Sequence, residues 1–255
     1  MATKDNVGRF VWYDCLAKDP QAAIAYYGEV VGWKSQRFGE SHYTMFLGSQ
    51  GPVGGVMELP AEAAKMGAPP HWMANVVVAD VDAAVKQVEK LGGKVYKTPE
   101  EIPTVGRFAV VADREGASIS LFTPAGDMPL HDTTKEGEFC WNELMTTDQA
   151  SALSFYGEIF GWKKLDEMDM GPMGKYVLFG VGDKQLGGMM KKPTAEMPTA
   201  WGYYIAVADL AAATTRATKM GGKLLNGPMD VPGGRISQFV DPQGAFFSLH
   251  QGVAK

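Results

Sequence analysis

Residues 8–34 read GRFVWYDCLAKDPQAAIAYYGEVVGWK, and residues 137–163 read GEFCWNELMTTDQASALSFYGEIFGWK. The two stretches align without a gap. Phe10, Trp12, Asp19, Tyr27, Gly28, Glu29, Gly32, Trp33 and Lys34 recur as Phe139, Trp141, Asp148, Tyr156, Gly157, Glu158, Gly161, Trp162 and Lys163. A repeat of this length marks a duplicated structural unit, and its copies are expected to fold alike. Within each copy a β-rich aromatic run leads to an Asp suited to cap a helix. In the first copy Pro20 suits the first helical position, and Ile24, Tyr27 and Val31 recur at helical spacing. Gly32 and Gly161 then supply left-handed stops.

Short β runs separated by Gly-rich turns follow the first helix, around residues 35–38, 43–47 and 53–58, giving one βαβββ module. A Pro-flanked linker, residues 59–70, leads to a second module. It opens on His71–Val78, with Asp80 capping a helix that Gly92 and Gly93 end. Its strands are expected at 94–97, 107–111 and 118–122. A third module starts at Glu138 and a fourth near Trp201, whose helix Asp209 caps. Gly54-Gly55-Val56-Met57 and Gly187-Gly188-Met189-Met190 mark the same place in modules one and three. The fold class expected is α+β: four βαβββ modules paired into two cup-shaped mixed-sheet domains with helices outside. The domains are expected at 1–125 and 137–255, joined by the polar linker 126–136.

The chain has 255 residues, enough for two ordinary domains, and 45% are hydrophobic. A net charge of −5 argues against a nucleic-acid or anionic-membrane surface, which needs clustered cations. No apolar run approaches a membrane span, and MATKDNVGRF lacks the apolar centre of a signal peptide. The expected location is cytoplasmic. The two cysteines, Cys15 and Cys140, are not repeat equivalents and read as small core residues in strands.

The strand–Asp–helix openings, the Gly-Trp pairs after the helices, Asp80-Val81-Asp82-Ala83-Ala84 with Leu91-Gly92-Gly93-Lys94, and Phe239-Val240-Asp241-Pro242-Gln243-Gly244 together carry a family likeness. The chain resembles the vicinal oxygen chelate superfamily, which includes glyoxalases, extradiol dioxygenases and bleomycin-binding proteins. More narrowly it resembles a two-domain subgroup labelled glyoxalase-like or hydroxylase-like. The likeness spans nearly the whole chain and is specific for fold; for activity it says little, because the fold hosts unrelated chemistries. Metal-using members carry His, Gln or Glu on the first strand of a module, seven residues before the capping Asp, and Glu near the end of the last strand. The first-strand places here hold Trp12, Met73, Trp141 and Gly202, and the last-strand places of modules two and four hold Ser120 and Ser248. In modules one and three the corresponding strands run through Met57 and Met190. Indole, thioether and glycine offer no hard donor and a Ser hydroxyl is a poor one, so no metal and no other cofactor is expected.

The likeness implies that these places face into each cup. With strand alternation they bring Trp12, Asp14 and Asn75 inward in the first half, and Trp141, Glu143, Tyr204, Ser248 and His250 in the second. Asp14 and Glu143 are either ligand-recognising carboxylates or salt-bridged strand residues. Glu143 and His250 would be a catalytic acid–base pair if within hydrogen-bond reach. Asp166, Glu167 and Asp169 read as a solvated acidic turn.

The leading expectation is a metal-independent small-molecule-binding protein, its ligand held in an aromatic and Met-lined cup by Trp12, Asp14, Met57, Asn75, Trp141, Met190, Tyr204 and Ser248. The alternative is a glyoxalase-like lyase or dioxygenase/hydroxylase-like enzyme with a non-standard site using Glu143 and His250. No nucleic-acid or membrane partner is expected, and the chain is either a monomer or a homodimer.

Overall fold

The computed structural model describes residues 6–253. Residues 1–5, part of the segment read above for a leader, lie outside the described residues. The first module runs β1 (Phe10–Ala17), α1 (Pro20–Val31), β2 (Lys34–Arg37), β3 (Thr44–Gly48) and β4 (Gly51–Glu58). The second runs β5 (His71–Val77), α3 (Val81–Lys90), β6 (Lys94–Ile102), β7 (Gly106–Ala112) and β8 (Ser118–Pro124), after a short helix α2 (Ala61–Lys65). The third is β9 (Phe139–Thr146), α4 (Gln149–Phe160), β10 (Lys163–Asp169), β11 (Lys175–Val181) and β12 (Lys184–Lys191). The fourth is β13 (Ala200–Ala206), α5 (Leu210–Lys219), β14 (Lys223–Val231), β15 (Gly234–Val240) and β16 (Phe246–Gly252).

The strands form two eight-stranded mixed sheets, in the orders β2-β3-β4-β1-β5-β8-β7-β6 and β10-β11-β12-β9-β13-β16-β15-β14. The first strand of each module pairs parallel with its last, and the remaining ladders within a module are antiparallel. The expected α+β class and the fourfold βαβββ order are observed. By contact the chain also falls into two compact units. One comprises residues 1–12, 74–130 and 141–201; the other comprises 13–73, 131–140 and 202–255. No helix among the described residues is long and apolar enough to cross a membrane.

Three sequence expectations need correction. The segment expected as a bare linker between modules one and two contains α2, a run of Ala, Glu and Lys with high helix propensity following Pro60. The first edge strand of module two extends to Ile102, because register shifts after Val95 and Lys97 let the ladder continue past Pro99. Asp166, Glu167 and Asp169 belong to β10 rather than a turn; Glu167 pairs with Lys164 at 2.7 Å and Lys175 at 3.4 Å.

Capping explains the helix starts. Asp19 Oδ1 accepts from the backbone N–H of Gln21 and Ala22, and Asp148 Oδ1 accepts from Ser151 N–H. Gly32 and Gly161 close the helices in the left-handed conformation, at φ 89° and 73°. The recurring Trp that follows each of them has a specific partner. Trp33 Nε1 donates to Gly137 O at 2.8 Å, and Trp162 Nε1 donates to Gly8 O at 2.7 Å. Each copy of the repeat thus supplies the indole that satisfies the opening glycine of the other.

The recurring tyrosines make a second reciprocal pair of contacts. Tyr27 on α1 donates to Asp241 Oδ2 at 3.0 Å and accepts from Trp72 Nε1 at 2.8 Å. Tyr156 on α4 donates to Asp113 Oδ2 at 3.0 Å and accepts from Trp201 Nε1 at 3.1 Å. The other carboxylate oxygen of each Asp organises its turn: Asp241 Oδ1 accepts from Gln243, Gly244 and Ala245 N–H, and Asp113 Oδ1 from Glu115 and Ala117 N–H. Burial, with Cys15 and Asp241 nearby, pushes the Tyr27 phenol up, so it keeps the proton it donates.

The third residue of each turn reaches the start of a helix. Gln243 Oε1 accepts from Asp19 N–H at 2.7 Å and its Nε2 donates to Asp19 O at 2.9 Å. Glu115 instead gathers threonines, accepting from Thr146 Oγ1, Thr147 N, Thr147 Oγ1 and Thr199 Oγ1. Burial works upward on this carboxyl, but the hydrogen bonds led by those from Thr147 hold it at about 2, against an ordinary 4.5. Its contribution to stability is therefore complete above about pH 4.5 and is lost as pH falls toward 2. The urea midpoint of Glu115→Gln is expected to lie below that of the wild type at neutral pH, with the gap closing across that acidic window. A gap that stays constant with pH would show that the carboxylate charge contributes nothing.

Candidate functional site

The glycine pairs of modules one and three are the local reason for the most distinctive side-chain arrangement in the molecule. In β9 and β12, Glu143 is in register with Gly188. A β-carbon on Gly188 would lie 2.1–2.3 Å from Cε1, Cζ and Oη of Tyr176, so the ring lies flat where a side chain would stand. Tyr176 Oη donates to Glu143 Oε2 at 2.8 Å and accepts from Trp141 Nε1 at 2.8 Å. Indole, phenol and carboxylate form a continuous chain, and Glu143 is buried at 5% exposure. A carboxylate this buried requires such donors.

Module one repeats the plan. Asp14 is in register with Gly55, and a β-carbon there would lie 2.3 Å from Tyr43 Cζ and Oη. Tyr43 Oη donates to Asp14 Oδ1. The two carboxylates therefore sit opposite glycines under tyrosine rings. Trp12 lies two residues before Asp14 on β1, where Trp141 stands relative to Glu143. Met57 is in register with Leu16, and Met190 with Met145 and Tyr176, two residues along from the glycines. Asn75 is buried and pairs in register with Ser120.

In module four, Tyr204 is in register with Ser248 and accepts from Gln238 Nε2 at 3.1 Å. His250 Nδ1 lies 3.7 Å from Cys140 Sγ, and the thiol lies 3.4 Å from Tyr204 O. Burial pushes His250 down, opposed by a backbone hydrogen bond at Gly233, so the ring is neutral at physiological pH. Burial also pushes the Cys140 thiol up to about 12, which leaves it protonated and a poor nucleophile. Glu143 and His250 belong to different compact units. Each finds the partners just given within its own.

The other histidines have ordinary surroundings: His71 Nδ1 lies 2.7 Å from Pro69 O, His131 pairs with Glu138 at 2.9 Å, and His42 is exposed. Among the described residues no group of three or more His, Cys, Asp or Glu side chains is placed to hold a metal ion. At the places that the family likeness picks out for a metal ligand, the indoles of Trp12 and Trp141, the thioether of Met73, Gly202 and the hydroxyls of Ser120 and Ser248 offer no hard anionic or imidazole donor.

Tyr43 and Tyr176 escaped the sequence reading, as did Gln238. The loops before the two tyrosines differ in length between copies, which hides their equivalence. The signal that points to them is the second glycine of each Gly-Gly pair, since a conserved-in-repeat glycine inside a strand marks the close approach of another group.

A family model described as the Glyoxalase/Bleomycin resistance protein/Dioxygenase superfamily matches residues 9–121 and 139–249. The "Putative glyoxylase CFP32" of Mycobacterium tuberculosis is 31% identical over 243 residues, covering 93% of this chain and 92% of that protein. The "Anthracycline biosynthesis protein DnrV" of Streptomyces peucetius is 29% identical over 262 residues, covering 97% and 94%. Among solved structures, the Mn(II)-bound glyoxalase from Novosphingobium aromaticivorans superposes with a TM-score of 0.63 at 16% identity, over 96% of this chain and 82% of that one. Homoprotocatechuate 2,3-dioxygenase from Arthrobacter globiformis gives 0.66 at 13% identity, over 96% and 80%. At these identities the structural matches speak to fold alone.

Proposed function

The chain belongs to the Glyoxalase/Bleomycin resistance protein/Dioxygenase superfamily, and on that footing we propose that it is a metal-independent small-molecule-binding protein. Its ligand is mostly apolar and aromatic. The observation that carries this reading is the Trp141–Tyr176–Glu143 chain. At a first-strand place where metal-using relatives keep a ligand, this protein has an indole tied to a phenol, and the phenol is tied to a buried carboxylate. The indole face offers stacking worth roughly 0.5–1.5 kcal/mol beyond area burial. Glu143, held in place by Tyr176, is suited to recognise a donor or a cation on the ligand. The names of the anthracycline-biosynthesis relatives favour a planar polycyclic aromatic as the first probe.

The test combines metal analysis of the purified protein with fluorescence titration of 1,8-dihydroxyanthraquinone. Substoichiometric metal and saturable probe binding are expected, with affinity about tenfold weaker in Trp141→Ala, near the upper end of an aromatic contact. Stoichiometric zinc, nickel, iron or manganese that is lost in Glu143→Ala would overturn metal independence. Unchanged binding in both Trp141→Ala and Glu143→Ala would remove this site as the binding site.

A further inference from the structure

Cys140 on β9, Tyr204 on β13 and His250 on β16 meet within one of the two compact units. Cys140 Sγ lies 3.4 Å from Tyr204 O and 3.7 Å from His250 Nδ1. The other ring nitrogen is engaged elsewhere. Nε2 lies 2.7 Å from where a β-carbon of Gly234 would stand, and the ring makes its backbone hydrogen bond at Gly233. The Nε2 proton is thus given to the backbone, and Nδ1 turns its lone pair toward the sulfur. Three electron-pair donors, a sulfur, a nitrogen and an oxygen, therefore share a single thiol proton.

The fold does not demand this chemistry. Val11 stands at the place of Cys140 in the repeat. Phe122 stands at the place of His250, since it pairs with Val77 as His250 pairs with Ala206. Its ring lies against Gly106 as the imidazole lies against Gly234. Where the first half of the chain keeps two apolar side chains, the second half keeps a thiol and an imidazole. Both are only partly buried, so a small ion reaches them from solvent.

We propose that Cys140 and His250 form a site for a soft monovalent cation, copper(I), held by the thiolate sulfur and Nδ1 with Tyr204 O as a weak third donor. Bonds of about 2.3 Å to sulfur and about 2.0 Å to imidazole nitrogen, as around zinc, span the observed 3.7 Å at an angle of about 120°, the trigonal value. A thiolate and a neutral imidazole around a monovalent cation make a neutral complex, which suits a largely enclosed place. Zinc is a poorer match: it asks for four ligands, and among the described residues no third His, Cys, Asp or Glu joins this pair. Sulfur also favours copper(I) over hard ions. The bond at Gly233 orients the imidazole, as ligating histidines require. Binding exchanges one proton for one cation. The S–H bond breaks, its electron pair forms the sulfur–copper bond, the proton goes to solvent, and copper keeps its oxidation state. The site shares no residue with the Trp141–Tyr176–Glu143 chain, and the small-molecule reading neither supplies nor requires the ion.

The test supplies copper(I) under nitrogen, in competition with bicinchoninate, to wild type, Cys140→Val and His250→Phe. The two variants carry the residues of the first half, and Cys140→Ser adds a near-isosteric change to a hard, poor donor. Circular dichroism establishes that each is folded. Wild type is expected to take up one equivalent, with one proton released per copper and a new ultraviolet thiolate-to-copper absorption. Each variant should bind more than about a hundredfold more weakly, beyond the roughly 10–100-fold that changes outside the ligands cost. Cys15→Ala, which removes a thiol with no exposure, should behave as wild type. No uptake by wild type would overturn the proposal. So would equal uptake by wild type and Cys140→Ser, which would place the copper on other sulfur atoms. Full uptake by His250→Phe would also overturn it, because Cys140 would then act as a lone thiol.

Discussion

Tyr27→Phe is expected to lower the unfolding free energy by about 2–5 kcal/mol, and Tyr156→Phe by a similar amount. Each substitution deletes one oxygen from a fully enclosed position and strands two partners at once. Without Tyr27, the Trp72 N–H loses its acceptor and Asp241 loses a donor. An unmet buried group costs about 1–3 kcal/mol, more when charged, which sets the range. For a chain of this length the melting temperature should fall by roughly 5–15 °C. The double variant Tyr27→Phe/Trp72→Phe should cost less than the sum of its parts, because the second change removes the N–H that the first left unmet. Strict additivity would mean that the three groups do not act as a chain.

The Tyr156 variant has a further signature. Burial already pushes Asp113 up, opposed by the backbone at Ala117 and the Tyr156 hydroxyl. Removing that hydroxyl takes away a bond made to the ionised form and pushes the carboxyl further up. The penalty of Tyr156→Phe should therefore be largest at neutral pH and shrink as acid protonates Asp113. A penalty that does not vary with pH would place the cost in packing alone.

These networks mark where reading the sequence succeeds and where it stops. The caps at Asp19, Asp80, Asp148 and Asp209, the Gly32 and Gly161 stops and the fourfold βαβββ order are local, so spacing reveals them. The reasons for the repeat are not local. Trp33, Tyr27 and Asp241 recur or stand out in the chain, but their partners lie 104 and 214 residues away, and no periodicity encodes such a distance. The site divides the same way. Strand alternation brings out Trp141 with Glu143, and the family likeness adds Tyr204 and Ser248. It cannot reveal Tyr176, which comes from a different strand and lies across the sheet only because Gly188 has no side chain. Gln238 was hidden for another reason: its sibling is Val110, and a polar residue in an alternating strand reads as solvent-facing until its row of neighbours is seen.

The adjacent glycines of β12 give the sharpest separation between fold and site. A β-carbon on Gly187 would lie 1.9 Å from the Asn142 carbonyl oxygen, which is backbone and cannot move without parting β9 from β12. Gly187→Ala is therefore expected to destabilise the protein by about 3 kcal/mol, as overpacking against main chain does, and to lower the yield of folded protein. The three atoms nearest a β-carbon on Gly188 all belong to the far end of the Tyr176 side chain. The ring can swing away, so Gly188→Ala should keep its far-ultraviolet circular dichroism. The displaced phenol, however, leaves both Trp141 Nε1 and Glu143 Oε2 without the partner described above. Binding of 1,8-dihydroxyanthraquinone should weaken by about tenfold to a hundredfold, matching Tyr176→Phe, since a hydrogen bond to a charged group contributes about 1.5–3 kcal/mol. Wild-type affinity in a folded Gly188→Ala protein would mean that the position of Tyr176 is irrelevant to the ligand. The phenol would then serve only to satisfy a buried carboxylate, and the site would have to be sought on another module.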